Sequence, residues 1–218
     1  MKTILFQGDS ITDFGRDRKE TRPNIGLGCG YVNLIASRVL CDDPSIKIYN
    51  RGIGGNRIMD MYARWEEDTM TLDFDVLSIF NGINDVGYGL RLGTGASAAK
   101  YEKMFDLLLE ETLERKPGIS LVLVEPFVMK ADVSWDIYGK DIYDNYEVWN
   151  NAIEERAASV KRLAEKYNAV FVPLRSVMDE ATRRAPVEFW SADSIHPTPA
   201  GHELIARAWL DAAGHLLK

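Results

Sequence analysis

Five short apolar runs alternate along the chain with longer segments in which apolar residues recur every three or four positions. The runs are Thr3–Phe6, Ile46–Tyr49, Val76–Phe80, Ile119–Val124 and Ala169–Val172. Most of these runs lack a polar face, which is typical of parallel strands covered on both sides. The alternation therefore predicts an open parallel sheet between two layers of helices. Ligands in such folds bind beyond the carboxyl ends of the strands, so the loops that follow the strands matter most.

The helical segments have clear spacing and clear ends. Apolar residues predict helices around Tyr101–Thr112 and Tyr146–Tyr167, and Thr198 followed by Pro199 marks the start of a last helix. The longest predicted loop is Phe127–Asn145, which follows the fourth strand. It should overhang the same end of the sheet as the other loops that follow strands.

Composition narrows the classes of function. The net charge is −7, with 26 Lys and Arg against 33 Asp and Glu, which argues against nucleic acid as a partner. No run approaches the ~20 apolar residues of a membrane span, and the start of the chain does not resemble a signal peptide. We therefore expect a cytoplasmic protein without a membrane partner, and the length of 218 residues without a linker predicts one domain over residues 1–218. Cys29 and Cys41 lack metal-ligand spacing, so we expect reduced, buried thiols and neither a metal nor another cofactor.

Glycine-containing loops follow the first two strands. In Gly8-Asp9-Ser10, the glycine permits a sharp turn, and N–H groups at a helix start would then surround the Ser10 hydroxyl. An ordinary helix cap would have the same residues. The second loop, Asn50–Asn56, contains three glycines that leave N–H groups open to an oxyanion, although a flexible turn would contain them too. Neither a phosphate loop nor a dinucleotide-binding fingerprint is present.

Two later loops carry polar side chains at useful positions. Asn84 follows the third strand and could donate its amide N–H into the same space, or form an ordinary Asx turn. Asp193 precedes His196 by three residues, so its carboxylate can accept the Nδ1–H and leave Nε2 as a base. His202 and His215 lie in the predicted last helix and have no such carboxylate. Acyl transfer requires a hydroxyl, donors for an oxyanion and an Asp–His pair, and the four loops supply them together.

The four loops resemble those of the SGNH (GDSL) hydrolase family. The blocks are Gly8-Asp9-Ser10, Asn50-x-Gly52-x-x-Gly55, Gly82-x-Asn84-Asp85 and Asp193-x-x-His196-Pro197, in the family's order over nearly the whole chain. The resemblance implies a three-layer α/β/α sandwich with a flavodoxin-like five-stranded parallel sheet in the order 2-1-3-4-5. It implies Ser10 as nucleophile, His196 as base and Asp193 as the residue that orients the base. The oxyanion hole would combine the N–H groups of Ser10 and Gly55 with the side chain of Asn84.

Longer stretches resemble the intracellular acetylxylan esterases of that family. They are GDSITDFGR, GLGCGYV, NRGIGGNRIMDMYARWEED, NGINDV and HPTPAGHELIARAWL. This similarity implies a homo-oligomeric serine esterase that removes acetyl groups from small acetylated carbohydrates. Two alternatives stay open. One is a lysophospholipase-like or thioesterase activity on longer acyl chains, and the other is a non-catalytic ligand-binding protein on the same fold.

Several neighbours of the catalytic candidates have less certain roles. Asp9, Asn56 and Asp85 flank the predicted site and are candidates for bracing it, although turn-forming residues would look the same. The aromatic candidates for a sugar or acyl pocket are Trp135, Tyr138 and Trp190. Aromatic residues more often pack in the core, and both interpretations of these residues therefore stay open.

Overall fold

The computed structural model of the protein describes residues 2–132 and 137–217. Its sheet contains β1 (Thr3–Gly8), β2 (Lys47–Asn50), β3 (Val76–Phe80), β4 (Ser120–Val124) and β5 (Val170–Val172). The strand order is β2-β1-β3-β4-β5 and every neighbouring pair is parallel. The predicted sheet, its order and all five predicted strands are confirmed, with strand ends that differ by one or two residues.

Helices connect the strands. They are α1 (Ser10–Asp13), α2 (Tyr31–Asp42), α3 (Ile58–Ala63), α4 (Ile83–Leu92), α5 (Ala98–Arg115), α6 (Ile137–Asp144), α7 (Tyr146–Lys166), α8 (Leu174–Thr182), α9 (Val187–Trp190) and α10 (Pro199–Ala213). A π-helical turn, Glu66–Met70, follows α3, and a 3₁₀ turn, Gly214–Leu217, ends the described chain. The Thr198 hydroxyl accepts the N–H of Gly201 at 3.2 Å, so α10 begins where the sequence predicts. The expectation of one long loop over Phe127–Asn145 was wrong in part, because α6 lies within it.

Two helical layers bury opposite faces of the sheet. The layer of α2, α8 and α10 packs on alternate strand residues such as Phe6 and Val124. The layer of α3, α5 and α7 packs on the intervening residues, such as Leu5 and Leu123. Both sets are fully or almost fully buried, which explains why the strands are apolar without alternation. The sheet thus fixes the loops at its carboxyl ends, where the predicted site residues lie.

The structure tests the expectations for the two cysteines and for membrane-spanning helices. Cys29 and Cys41 are unpaired and exposed, so the expectation that they would be buried was wrong. Cys29 lies in the loop before α2, and Cys41 lies in the last turn of that helix, where it faces outward. Across residues 2–132 and 137–217, no helix is long and apolar enough to cross a membrane.

Candidate active site

Ser10 lies at the point where β1 ends and α1 begins. A Cβ atom on Gly8 would lie 2.4 Å from the Phe80 carbonyl oxygen, so only glycine allows the chain to leave the sheet here. The Asp9 carboxylate then caps α1 by accepting the N–H of Ile11 at 3.1 Å. Ser10 is the first residue of the helix, and its own N–H therefore has no acceptor within the helix. The turn leaves both the hydroxyl and the N–H of Ser10 at the open end of the sheet.

A continuous chain of hydrogen bonds joins Ser10, His196 and Asp193. The Ser10 Oγ lies 2.8 Å from His196 Nε2. On the other side of the ring, Nδ1 lies 2.5 Å from Asp193 Oδ2. Because an ionised carboxylate only accepts hydrogen bonds, Nδ1 carries the proton and Nε2 accepts from the serine hydroxyl. The structure brings together the three side chains that the sequence singles out over a separation of 186 residues.

The backbone around Asp193 holds its carboxylate in place. Asp193 Oδ1 accepts the N–H groups of Ile195 at 3.0 Å and His196 at 2.6 Å, which leaves Oδ2 for the imidazole ring. Burial opposes the ionised carboxylate, but the hydrogen bonds and the charge of His196 outweigh it, so the pKa of Asp193 lies below its usual range. The intervening Ser194 has a φ of 75° and is fixed by its neighbours, since its carbonyl and hydroxyl oxygens accept the N–H groups of Met129 and Ala131. The loop is therefore rigidly joined to the segment after β4.

The predicted oxyanion donors surround the same serine. Gly55 has a φ of 82°, a conformation that favours glycine, and its N–H has no hydrogen-bond acceptor among the residues that the structure describes. Asn84 lies in the first turn of α4, and its Nδ2 donates to the Asn56 carbonyl at 3.2 Å, which leaves the second N–H of the amide for another acceptor. Gly52 lies against α1 so closely that a Cβ would be 2.4 Å from the Asp13 nitrogen. The glycines of this loop thus let it approach Ser10.

Two concave surfaces meet at Ser10 and His196. A cavity of about 310 Å³ is lined by Ser10, Gly55, Ile83, Asn84, Gly87, Tyr88, Arg91, Leu92, Trp149, Asp193, Ile195 and His196. Apart from the polar groups already described, much of this lining is apolar or aromatic. On the other side, a more open groove is lined by Ser10, Asp13, Phe14, Gly15, Arg16, Arg18, Gly54 and His196. There, Asp13 accepts the Gly54 N–H at 3.0 Å and pairs with Arg18, so the groove presents charged groups.

Comparison with known proteins identifies the family. Residues 6–204 match the GDSL-like lipase/acylhydrolase family. The chain belongs to this family. It is 32% identical to an acetylxylan esterase of Geobacillus stearothermophilus over 216 residues, which is 97% of this chain and 93% of that protein. A structure of this acetylxylan esterase superimposes on the GDSL-family chain with a TM-score of 0.81, covering 96% of this chain and 93% of the other.

Further solved structures agree with this assignment. A GDSL-like lipase from Parabacteroides merdae is 38% identical, with a TM-score of 0.89 and coverage of 100% of this chain and 96% of the other. An alpha/beta hydrolase from a Lake Arreo metagenome is 27% identical, with a TM-score of 0.84 and coverage of 99% and 96%. With the GDSL family shown over most of its length, the protein is a carboxylic ester hydrolase.

The aromatic wall of the cavity in this GDSL hydrolase is not the one the sequence suggests. Trp190 is buried away from the cavity and donates its indole N–H to the Ala185 carbonyl at 3.2 Å. Trp149 lines the cavity instead, although its place on an apolar helical stripe is also typical of a core residue. No local sequence signal marks this role, because the close approach of the Trp149 ring to Gly87, where a Cβ would lie 3.2 Å from it, exists only in the folded chain. Trp135 and the side chain of Tyr138 lie outside what the structure describes.

Two buried carboxylates lie behind the GDSL serine. Asp9 is almost fully buried, and burial raises its pKa to about 7, against the lowering effects of the Ile11 N–H and the His196 charge. Asp85 is also buried, and burial raises its pKa to about 6. Its carboxylate accepts the N–H of Ile58 at 2.9 Å, which joins α4 to the start of α3. Both residues contact the backbone near the site rather than the cavity.

Proposed function

We propose that Ser10 is the nucleophile of this esterase, with His196 as general base and Asp193 as the residue that orients it. The main support is the chain of hydrogen bonds through His196. Its Nε2 lies 2.8 Å from Ser10 Oγ, and its Nδ1 lies 2.5 Å from Asp193 Oδ2. These distances lie within hydrogen-bond reach, which proton transfer requires. Asp193 fixes the tautomer and stabilises the imidazolium that forms during the reaction. The segments that carry these residues come from both ends of the chain and meet at the carboxyl ends of one sheet, which supports a single catalytic domain.

Acylation follows from this arrangement. Ser10 Oγ attacks the ester carbonyl carbon while His196 Nε2 removes its proton. The carbonyl oxygen becomes an oxyanion, and the N–H groups of Ser10 and Gly55 with the Asn84 amide stabilise it. Each such donor typically contributes a ~100- to 1000-fold increase in rate, because the donors are aligned before charge develops. The tetrahedral intermediate then collapses, and His196 gives the proton to the leaving alcohol oxygen.

Deacylation repeats the same steps with water. The imidazole of His196 removes a proton from water, whose oxygen attacks the acyl carbon on Ser10. The same donors hold the second oxyanion. Collapse of this intermediate returns the proton from His196 to Ser10 Oγ and releases the carboxylic acid. Besides the ester and one water molecule, the proposed cycle uses side chains and backbone groups of this chain.

Replacement of Ser10 tests the nucleophile. Ser10→Ala should abolish turnover of p-nitrophenyl acetate above the background rate, and a serine-reactive phosphonate should no longer add its mass to the protein. Ser37→Ala is the matched control, since this serine of α2 is exposed and donates its hydroxyl to the Leu34 carbonyl. Ser37→Ala should have wild-type turnover. If Ser10→Ala also has near wild-type turnover, the assignment of Ser10 as nucleophile is wrong.

For the substrate, we propose small acyl esters, and acetylated carbohydrates in particular. Two observations support this: the 32% identity to an acetylxylan esterase over 97% of the chain, and the charged groove at Ser10 and His196. Asp13 and Arg18 there are suited to hydrogen bonds with sugar hydroxyls. Acetate release from a panel of acetylated mono- and oligosaccharides and glycerides tests the proposal. Preference for acetylated sugars over glyceryl acetates supports it, and the reverse preference contradicts it.

A second candidate is an esterase for longer acyl chains. The observation that favours it is the cavity of about 310 Å³ with Ile83, Leu92 and Trp149 in its wall, since this lining suits an apolar chain. The p-nitrophenyl esters of acetate, butyrate and octanoate distinguish the two candidates. The ratio of kcat/KM for octanoate to that for acetate should be below one for the acetylesterase and above one for this alternative.

A further inference from the structure

Arg64, one residue beyond the end of α3, makes five hydrogen bonds to groups on different segments. Its Nε donates to Asn56 Oδ1 at 2.6 Å. Its Nη1 donates to Gln7 Oε1 at 2.9 Å, to the Arg51 carbonyl at 3.0 Å and to Asp68 Oδ2 at 2.9 Å, and Nη2 donates to the Gly8 carbonyl at 3.3 Å. The Arg64 side chain is only 14% exposed. One planar group therefore connects the end of β1, the loop after β2 and the π-helical turn.

Two of the Arg64 contacts lie within two residues of the predicted backbone donors to the oxyanion. Gly8 comes immediately before Asp9-Ser10, and Asn56 comes immediately after Gly55. The Gly8 carbonyl also accepts the N–H of Ile53 at 3.0 Å, so the same atom joins β1 to the loop of Gly55. Arg64 thus contacts the Gly8 carbonyl and the Asn56 side chain, which belong to the two segments that carry Ser10 and Gly55.

Asn56 extends this connection to the third donor. Its carbonyl oxygen accepts Asn84 Nδ2 at 3.2 Å and Asn81 Nδ2 at 2.8 Å. Its side-chain oxygen accepts from Arg64. A shift of Asn56 would therefore change the orientation of the Asn84 amide as well as the position of the Gly55 N–H.

We propose that Arg64 is the positioning residue of the oxyanion hole, acting through Gly8 and Asn56 to fix the Ser10 N–H, the Gly55 N–H and the Asn84 amide relative to one another. The inference rests on the proposed function, since it concerns the same donors. Arg64 does not line the cavity and contacts no reacting atom. Its effect is on geometry, and donors aligned in advance stabilise the transition state far more than the bound ester.

The proposed role requires a guanidinium because the acceptors lie on different segments and in different directions from the Arg64 side chain. A guanidinium has five N–H groups in a fixed fork, whereas an ammonium is a single compact charge. A lysine at position 64 can keep the ion pair with Asp68 but cannot reach Asn56 and Gly8 together. Arg64→Lys therefore removes the positioning while keeping the charge.

The first test measures kcat and KM of Arg64→Lys with p-nitrophenyl acetate. We expect kcat to fall by about 10- to 100-fold, since a misplacement near 1 Å costs about 100-fold, while KM changes by less than about 3-fold. Active sites are titrated with a phosphonate, so that unfolded protein does not lower the measured kcat. The affinity for a boronic acid, which mimics the tetrahedral intermediate, should fall by the same factor as kcat.

Arg156→Lys is the matched control. Arg156 is also buried, lies on α7 and donates to the Ala96 carbonyl at 2.6 Å and to the Ala152 carbonyl at 3.1 Å. Among the residues that the structure describes, it makes no hydrogen bond to Gly8, Asn56 or Asn84. Its replacement should lower stability to a similar extent, with kcat per titrated site within about 3-fold of wild type. If Arg64→Lys and Arg156→Lys have the same kcat, Arg64 is a structural residue only and the inference is wrong.

A double-mutant cycle tests the path of the effect. If Arg64 acts through Asn56, then the fall in kcat for Arg64→Lys combined with Asn56→Ala should be clearly smaller than the product of the two single effects. Independent, multiplicative effects would contradict the proposed path. Ser10→Ala separates this inference from the proposed function. An active Ser10→Ala overturns both, whereas an inactive Ser10→Ala with a fully active Arg64→Lys overturns the positioning role alone.

Discussion

Replacement of Asp9 by Asn should make the stability of the protein less dependent on pH. The Asp9 side chain lies directly behind Ser10, is almost fully buried and accepts the Ile11 N–H at 3.1 Å. An asparagine has the same shape, and its amide oxygen can accept the same hydrogen bond. The substitution therefore removes the charge of Asp9 and leaves the cap of α1 in place.

The magnitude follows from the pKa of Asp9. Burial raises this pKa from 3.8 to about 7 in the folded protein, whereas the unfolded chain keeps the ordinary value. Between pH 3.8 and about 7, the folded state binds more protons than the unfolded state. The free energy of unfolding of the wild type therefore falls as pH rises through this window. A pKa difference of about three corresponds to roughly 4 kcal/mol in total.

Urea denaturation of both proteins at pH 4.5 and pH 8.5 measures this difference. The free energy of unfolding of Asp9→Asn minus that of the wild type should become more positive between these values, by roughly 3 kcal/mol or more. The raised pKa of Asp85 affects both proteins in the same direction and largely cancels in the difference.

Asp43→Asn is the control, because this exposed carboxylate accepts the Ser45 N–H at 2.9 Å and its pKa lies below 3.8. Both pH values lie above that pKa, so Asp43 stays ionised in the folded protein. The difference in free energy of unfolding between Asp43→Asn and the wild type should therefore be the same at pH 4.5 and pH 8.5. A pH-independent difference for Asp9→Asn as well would show that Asp9 is ionised in the folded protein at pH 4.5, and would refute the reasoning.

Three further substitutions test other parts of the structure. Burial lowers the pKa of His202 from 6.5 to about 4, so as pH falls the unfolded chain binds a proton at this residue before the folded chain does. The free energy of unfolding of the wild type therefore falls between pH 7 and 4.5. His202→Leu should remove up to ~3 kcal/mol of this fall, as measured by urea denaturation. Gly52→Ala should destabilise the protein by several kcal/mol in thermal denaturation, because its Cβ would lie 2.4 Å from the Asp13 nitrogen. Gly118→Ala has open space around it, so it should cost only the roughly 1–2 kcal/mol of placing a Cβ at its φ of 89°. Trp149→Phe should enlarge the cavity and raise the ratio of kcat/KM for octanoate to that for acetate esters several-fold.

The sequence predicts the sheet and the hydrogen-bonded triad because both depend on local signals. A strand covered on both faces must be apolar throughout, and the five runs can be recognised without knowledge of their partners. Ser10, Asp193 and His196 each occupy a loop that follows a strand or precedes a helix, where a reactive side chain needs backbone support. Once the strands are parallel, the carboxyl ends lie at one edge, and the loops must meet there.

Other features depend on distant contacts that no local signal shows. Trp190 and Trp149 both lie among apolar residues, and only the folded packing makes Trp190 a core residue and Trp149 a cavity wall. The helix α6 lies in a segment with many Asp and Tyr residues that also suit a loop. The exposure of Cys41 likewise depends on how α2 packs against α10.

Arg64 shows why support for a site is harder to predict than the site itself. Only a few residue types can act as a nucleophile or a base, so the candidates in a sequence are few and can be found by their type and position. A positioning residue can be any donor that reaches the right acceptors, and here those acceptors are the Gly8 carbonyl and the Asn56 side chain. Arg64 also pairs with Asp68 at i,i+4, which in sequence is typical of an ordinary surface salt bridge. What distinguishes it is its burial against three segments, and burial of a guanidinium is stabilised only when its N–H groups find acceptors. Two of its five acceptors, the Gly8 carbonyl and the Asn56 side chain, lie within two residues of the backbone oxyanion donors, so its stability and the alignment of the hole depend in part on the same hydrogen bonds.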